Sequence, residues 1–222
     1  MKNLITIGLP SKGRLKDKSI AFFNNKGFKI LQSDRERNYF ATIENMPNIK
    51  IIYLHAKEII QRLGDGTLDV GISGLDLLNE SEKNLQDKIY IKHKLDFGGA
   101  NLVVAVPDDW IDVQTIADLE EVAFDIRLKR NTRLRVATKY PNLTNDFLIS
   151  KGVTQYKLIS SLGATETYPF IGSSEIVTDI TSTGKTLNDN NLRVLKDGLI
   201  LQSQACLLIS KSSRNKVQKI EI

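Results

Sequence analysis

The sequence predicts an α/β protein built from two lobes, with the second lobe inserted into the first. Short apolar runs typical of buried strands alternate with amphipathic segments typical of helices, which indicates parallel sheets flanked by helices. The pattern changes in a Gly-containing stretch near residue 97 and then restarts with a fresh apolar run. We therefore expect one lobe from residues 1–96 with 188–222 and another from residues 97–187, with the ligand site in the cleft between them.

The first lobe opens with a predicted buried strand at residues 4–10, stopped by Pro10. An amphipathic helix follows and ends near Gly27. The next elements are predicted as strands at 49–54 and 68–74 and as helices at 56–63 and from residue 75. Strands at 192–195 and 200–209 return at the end of the chain, and the charged tail from Lys211 is predicted to fray.

The second lobe shows the same alternation. Its predicted strands are at 102–107, 134–138, 156–159 and the first half of 175–187, and its helices run from Thr115 to Val122 and from about Pro141 to Gly152. Thr115 and Asp118 have the spacing of a capping box. Ligands in such sheets bind beyond the carboxyl ends of the strands, where the Gly-containing turns collect.

Composition and charge narrow the classes of function. The net charge of +5 fits anionic substrates, but the basic residues are dispersed, so we expect no nucleic-acid partner. The single cysteine, Cys206, excludes a disulfide or zinc framework and is predicted to lie in the core. The sequence predicts no signal peptide and no membrane span, so we expect a cytoplasmic protein.

The hydroxyl-rich turn at residues 181–186 is the strongest local signal for a ligand. Three interpretations remain open at this point: an ordinary strand-to-helix turn, a P-loop, and a phosphoribosyl-diphosphate loop. The P-loop pattern matches at Gly184, Lys185 and Thr186 but requires Gly at position 179, which is Asp. A phosphoribosyl-diphosphate loop, in contrast, uses an acid such as Asp179 followed by small hydroxyl residues and Gly.

A second candidate turn follows the first strand. Gly13 is flanked by Lys12 and Arg14, which offer a point charge and a planar fork to a diphosphate. The alternative is a pair of solvated basic residues in a turn.

Five motifs occur in one order along the chain, at residues 8–15, 69–77, 135–144, 163–166 and 179–187. This order resembles that of the ATP phosphoribosyltransferases, and the resemblance runs from Leu4 to about Ser210. It implies the first committed step of histidine biosynthesis, in which N1 of ATP displaces diphosphate from C1 of phosphoribosyl diphosphate (PRPP) with Mg²⁺ present. It also implies a type II periplasmic-binding-protein-like fold, for which a non-catalytic small-ligand binding protein is the alternative function.

The resemblance implies a role for each matching residue. PRPP would be bound by Glu166, Asp179, Thr181, Ser182, Thr183, Gly184, Lys185 and Thr186. ATP would be bound by Lys12, Gly13, Gly71, Gly74, Asp76, Asp96, Lys139 and Tyr140. Arg14 and Arg37 would be catalytic, facing the diphosphate, and Mg²⁺ would enter on substrate phosphates with Asp179 or Glu166 as candidate contacts. His55 and His93 are not needed.

The sequence departs from the family pattern at two places, and its length indicates which form of the family it resembles. Ser11 is an extra residue within the usual Pro-Lys-Gly-Arg sequence, and residues 173–175 read Ser-Ser-Glu where many members have Leu-Ala-Asp. At 222 residues the chain resembles the short form, which lacks the C-terminal histidine-binding domain. The resemblance then implies a homodimer within a hetero-oligomer, with feedback inhibition on a partner similar to the catalytic part of histidyl-tRNA synthetase.

Overall fold

The computed structural model describes residues 4–32, 39–218 and 220. The chain forms two compact units, one from residues 1–99 with 204–222 and one from residues 100–203. Each unit is built on one β-sheet with helices packed against it. The second unit is an insertion between two segments of the first, which confirms the predicted α/β class with an inserted lobe.

The strands and helices follow in chain order. The strands are β1 (Ile5–Pro10), β2 (Ile30–Gln32), β3 (Phe40–Ile43), β4 (Met46–Leu54), β5 (Val70–Gly74), β6 (Ile89–Lys94), β7 (Ala100–Pro107), β8 (Leu134–Thr138), β9 (Tyr156–Ser160), β10 (Ile176–Thr181), β11 (Leu192–Ser203) and β12 (Ala205–Ser210). The helices are α1 (Gly13–Asn25), α2 (Ala56–Gly64), α3 (Leu75–Glu80), α4 (Lys83–Gln86), α5 (Ile116–Arg130), α6 (Pro141–Ser150), α7 (Lys185–Asn188) and α8 (Arg214–Val217). Short 3₁₀ turns occur at Thr165–Thr167 and Lys211–Ser213.

The sheet of the first unit has the strand order β2-β3-β4-β1-β5-β12-β6. Strand β1 is parallel to β4 and β5, and β12 is antiparallel to both β5 and β6. Strands β1, β4, β5 and β6 therefore run in the same direction. Their carboxyl ends lie at one edge of the sheet, where ligands bind in sheets of this kind.

The sheet of the second unit has the order β11-β7-β10-β8-β9. Strands β8, β9 and β10 are parallel, whereas β7 is antiparallel to both β10 and β11. One face packs on α5 and α6 through a fully buried cluster that includes Val136 and Ile176. The carboxyl ends of β8, β9 and β10 share one edge of this sheet.

The C-terminal boundary of the second unit differs from the predicted one. Residues 188–203 were expected in the first lobe, but β11 pairs with β7 along most of its length, and the division lies at Gln204. The apolar run at 200–209, predicted as one strand, is two strands in two different sheets. Only the polar residues Gln202, Ser203 and Gln204 interrupt the run, and such a short polar break does not by itself indicate a change of sheet.

The charged tail is folded where the structure describes it, so the predicted fraying is wrong for these residues. Helix α8 buries Val217, which is 1% exposed. Lys216 Nζ lies 2.9 and 2.8 Å from the two carboxylate oxygens of Asp69, and Ser213 Oγ donates to Asp69 Oδ1 at 2.6 Å. Asp69 also accepts from the Thr6 N–H. A buried acid at the start of β5 therefore holds the tail in place.

Two local predictions are confirmed. Thr115 and Asp118 form the expected capping box at the start of α5, and the hydrogen bonds from Gln114 and Thr115 lower the pKa of Asp118. Cys206 is fully buried in β12, and burial raises the pKa of its thiol to about 11. It is a core residue and not a reactive one.

Candidate active site

The predicted substrate-binding segments of the second unit follow its parallel strands. Lys139 comes directly after β8, the stretch 161–167 follows β9, and the turn 182–184 follows β10. Because these strands are parallel, all three segments leave the sheet at the same edge. Segments from three separate parts of the sequence thus form one candidate site.

The turn at residues 181–184 is short and internally hydrogen bonded. Thr181 Oγ1 accepts from the Gly184 N–H at 2.8 Å, and Thr183 Oγ1 accepts from the Lys185 N–H at 3.4 Å. Gly184 has φ +75°, a left-handed conformation that favours glycine. Since each threonine hydroxyl is used only as an acceptor in these bonds, its own O–H remains able to donate to an anion.

Asp179 lies on β10 just before this turn and is half-buried. Its Oδ1 accepts from the Ile180 N–H at 2.8 Å. Burial raises the pKa of the Asp179 carboxyl, the hydrogen bond and Lys139 lower it, Glu166 raises it, and the net shift is upward. Lys139 and Glu166, two other charged groups predicted at the site, are therefore close enough to act on Asp179.

Glu166 reaches this site from the 3₁₀ turn Thr165–Thr167. The turn is anchored by Thr165, which is fully buried and hydrogen bonds to Ser161 Oγ at 2.9 Å. Ser161 in turn is held by its N–H, which donates to the Thr138 carbonyl at 2.9 Å. This local chain of contacts fixes the half-buried Glu166 relative to the end of β8.

Lys139 and Tyr140 connect β8 to α6. Lys139 is exposed, whereas Tyr140 is buried and precedes Pro141 at the start of α6. The Tyr140 N–H donates to Thr138 Oγ1 at 2.9 Å. Lys139, which is predicted to bind ATP, lies close enough to Asp179 for its charge to lower the pKa of that carboxyl.

Glu175, the acid where many family members have Asp, is engaged elsewhere. Its carboxylate accepts from the Arg135 guanidinium at 2.7 Å and from the Arg135 backbone N–H at 2.6 Å. The same contact raises the pKa of Arg135. Glu175 therefore links β8 to the start of β10 at the end of the strands away from the site.

The predicted basic turn of the first unit is present at the carboxyl edge of its own sheet. Helix α1 begins at Gly13, which has φ +71°, and Lys12 and Arg14 on either side of it are exposed. Ser11 is tied to the neighbouring strand, because its N–H donates to the Leu54 carbonyl at 2.8 Å. Neither Lys12 nor Arg14 forms an ion pair with any residue that the structure describes.

The two predicted glycines of β5 differ in role. A Cβ at Gly74, the last residue of the strand, would lie 2.2 Å from Asp76 Oδ1. The glycine thus leaves room for the buried Asp76 carboxylate at the start of α3. A Cβ at Gly71 would lie 2.5 Å from Ile59 Cγ2, so Gly71 allows α2 to approach the sheet. The space at Gly71 is filled by the core.

Asp96 follows β6 and lines an open pocket of about 450 Å³ together with Phe22 and Phe97. Arg37, predicted to be catalytic, lies outside the described residues. His55 caps α2, where its Nδ1 accepts from the Lys57 N–H at 3.3 Å, so it has a structural role as expected.

The described residues contain no cluster of three or more metal-ligating side chains. They also contain no helix long and apolar enough to cross a membrane.

Sequence reasoning missed the buried hydroxyls beneath the site, at Thr138, Thr144 and Thr178. These threonines read as ordinary strand and helix residues, because only the pairing of β8 with β10 brings them together. A threonine that ends β8 and another within β10 were the available signal.

Comparison with known proteins identifies one family. The family model described as HisG, ATP phosphoribosyltransferase, matches residues 55–222. An ATP phosphoribosyltransferase of Brucella melitensis is 46% identical over 219 residues, covering 98% of this chain and 95% of that protein. That of Brucella anthropi is 44% identical with the same coverage.

Solved structures give the same family and the same fold. The ATP phosphoribosyl transferase (HisG:HisZ) complex from Thermotoga maritima matches with a TM-score of 0.74 and 25% identity, covering 98% of this chain and 93% of that one. The arginine-bound form of ArgBP from T. maritima matches with a TM-score of 0.54 and 11% identity, covering 97% and 92%. The second likeness shows the binding-protein fold alone. On its sequence, its fold and the match to the family model, the chain belongs to the ATP phosphoribosyltransferase family of histidine biosynthesis.

Proposed function

We propose that this chain transfers the 5-phosphoribosyl group of PRPP to N1 of ATP, and that the carboxyl edge of the second unit's sheet binds PRPP. One observation carries the assignment of the site. Lys139 and Glu166 both act on Asp179 beside a hydroxyl-rich turn that a glycine closes. Carboxylates suit ribose hydroxyls, and the turn suits a phosphate.

Each part of the substrate then has a partner in this proposal. The 5-phosphate accepts hydrogen bonds from the hydroxyls of Thr181, Ser182, Thr183 and Thr186 and from the N–H groups of the turn, with Lys185 adding charge. The ribose hydroxyls donate to Asp179 and Glu166. These carboxylates also tolerate the positive charge that develops on the ribose ring as the bond to diphosphate breaks.

The reaction itself needs little acid–base chemistry. A bond forms between adenine N1 and C1 of the ribose while the bond from C1 to oxygen breaks, and the diphosphate leaves with the electron pair. We propose that Arg14, assisted by Lys12 and Arg37, stabilises the leaving diphosphate. Adenine N1 is already nucleophilic, so alignment of two substrates in a dry site supplies much of the rate.

The ATP side is proposed at the carboxyl edge of the first unit's sheet. Gly13, Gly74, Asp76 and Asp96 follow β1, β5 and β6 at this edge. Gly71 supports it from the core by allowing α2 to pack closely. Tyr140 shapes the start of α6 beside the PRPP site.

The family uses a divalent metal ion, and we propose Mg²⁺. The oxygen donors of Asp179 and Glu166 fit this ion, because Mg²⁺ is usually held by one or two carboxylates together with substrate phosphates. When bound, it neutralises charge on the departing diphosphate.

One structural relative supports a proposal for the oligomeric assembly of this chain. That relative is a complex of HisG with HisZ. We propose that this chain is likewise a short-form catalytic subunit, a homodimer within a hetero-oligomer whose regulatory partner resembles histidyl-tRNA synthetase. Since ATP and PRPP are cytoplasmic metabolites, we also propose a cytoplasmic location, with neither nucleic acid nor membrane as a partner.

An absorbance assay tests the function. ATP, PRPP and Mg²⁺ are mixed with the chain, alone and with its regulatory partner, and the ultraviolet absorbance of the N1-ribosylated product is followed. We expect product in the complete mixture and none when PRPP is omitted. No product in the presence of the partner would contradict the proposal, and calorimetry with PRPP against amino acids would then test a binding function.

A further inference from the structure

Three buried threonine hydroxyls form a closed ring directly beneath the proposed PRPP site. Thr138 ends β8, Thr178 lies on β10, and Thr144 lies on α6. The Oγ1 atoms are 3.1 Å apart for Thr138 and Thr144, 2.7 Å for Thr144 and Thr178, and 2.7 Å for Thr178 and Thr138. All three residues are at most 1% exposed, so water does not compete for these bonds.

The direction of every bond in the ring follows from one of them. In the pair of Thr178 and Thr138, Thr178 is the donor. A threonine hydroxyl has a single proton, so Thr144 must donate to Thr178, and Thr138 must donate to Thr144. Each hydroxyl therefore donates once and accepts at least once, and Thr138 also accepts from the Tyr140 N–H. Removal of any hydroxyl leaves a buried donor without its acceptor.

The ring lies next to two charged residues of the site in the sequence. Thr138 precedes Lys139 and Thr178 precedes Asp179, and the two threonines are directly paired between the parallel strands β8 and β10. Because side chains alternate along a strand, Asp179 points to the face opposite the ring. The ring thus fixes β8 and β10 relative to each other and to α6 from the face opposite Asp179.

We propose that the ring of Thr138, Thr144 and Thr178 is a positioning device that holds Lys139 beside Asp179 for the binding of PRPP. The proposal deepens the proposed function and rests on it. The threonines are positioning residues, since they act through their neighbours in the chain. A register fixed by three mutually dependent bonds resists the shift of about 1 Å that lowers activity by about 100-fold in well-aligned sites.

Substitution of the ring tests the proposal in the full-length enzyme with its regulatory partner. Thr178→Val removes one hydroxyl at nearly constant volume, and Thr144→Val opens the ring from the helix side if the first variant does not fold. We expect kcat/KM for PRPP to fall by about 10- to 100-fold, with KM for ATP little changed. Thr178→Ser, which keeps the hydroxyl, should recover most of this loss.

A matched control separates positioning from stability. Ser213→Ala removes a buried hydroxyl that donates to Asp69 at 2.6 Å in the first unit. We expect it to lower the melting temperature while leaving kcat/KM for PRPP at the wild-type value.

The comparison between the two substrates gives a readout that loss of stability alone would not move. A general loss of folded enzyme lowers the rate with both substrates, whereas a displaced Lys139 should raise KM for PRPP and leave KM for ATP unchanged.

The outcomes are distinguishable. Wild-type kinetics with PRPP in Thr178→Val, while Asp179→Asn is impaired, would overturn the proposed role of the ring and leave the site assignment intact. An equal loss in Thr178→Ser and Thr178→Val would also overturn it. Normal PRPP kinetics in Asp179→Asn would instead contradict the proposed function on which the inference rests.

Discussion

Replacing Asp179 by Asn should weaken catalysis without weakening the fold. The substitution keeps the shape of the side chain and its hydrogen bond to the Ile180 N–H, which Asp179 Oδ1 accepts at 2.8 Å. It removes the negative charge of the Asp179 carboxylate, which we propose accepts a hydrogen bond from a ribose hydroxyl. The effects on activity and on stability should therefore have opposite signs.

The size of the fall in kcat/KM can be estimated from the hydrogen bonds of the Asp179 carboxylate. Oδ1 is used by the backbone, and Oδ2 has no hydrogen bond to the residues that the structure describes, so one oxygen is fully available to substrate. A hydrogen bond to a charged group contributes about 1.5–3 kcal/mol. Its loss should lower kcat/KM for PRPP by about 10- to 150-fold.

The effect on stability follows from the raised pKa of Asp179. Burial is its largest cause, with Glu166 adding to it. A carboxyl whose pKa is raised in the folded state binds its proton more tightly there than in the unfolded chain. Its contribution to stability is complete below the unfolded pKa and is lost as pH rises through the folded pKa. At neutral pH the ionised Asp179 therefore destabilises the free protein, and Asn should raise the melting temperature.

Steady-state kinetics and thermal melts on the same samples check the predicted loss of activity and the predicted gain in stability. Asp189→Asn makes the same chemical change at an exposed position ten residues along the chain and should be neutral in both assays. An Asp179→Asn variant with wild-type kcat/KM for PRPP, or one that melts below wild type, would refute this reasoning.

Three further substitutions test other parts of the structure. Glu175→Gln weakens the partly exposed ion pair with Arg135 and should lower the free energy of unfolding by about 1 kcal/mol in urea titrations, with kinetics unchanged. Asp69→Ala removes a buried acid that accepts four hydrogen bonds. It should lower the free energy of unfolding by about 3–5 kcal/mol, with faster hydrogen exchange in α8. Gly74→Ala places a Cβ 2.2 Å from Asp76 Oδ1 and should raise KM for ATP about tenfold, whereas an unchanged KM would place ATP elsewhere.

The fold could be predicted where the signal is local. The buried strand at 102–107 and the capping box of α5 depend on neighbouring residues, and both were predicted. The boundary at Gln204 could not be predicted, because β11 and β12 are separated by this single residue and only their pairing partners place them in different sheets. The tail was predicted to fray because the partner of Lys216, Asp69, lies 147 residues away.

The candidate site also has features that could be predicted from the sequence and features that could not. Asp179 and the turn after it form one continuous stretch, so their chemistry could be predicted from the sequence. The hydroxyl ring joins Thr138 and Thr178, which are 40 residues apart, and becomes visible only when β8 and β10 are paired. The effect of Lys139 on Asp179 could not be predicted either, because it depends on the pairing of β8 with β10.

The identity of the bond that forms tests the central claim most directly. The chain, with its regulatory partner and Mg²⁺, is given ATP labelled with ¹⁵N at N1 and PRPP labelled with ¹³C at C1 of the ribose, and the product is observed by NMR. We predict a one-bond coupling between the two labels, with release of diphosphate in equal amount. Product without that coupling, or no product at all, would contradict the account.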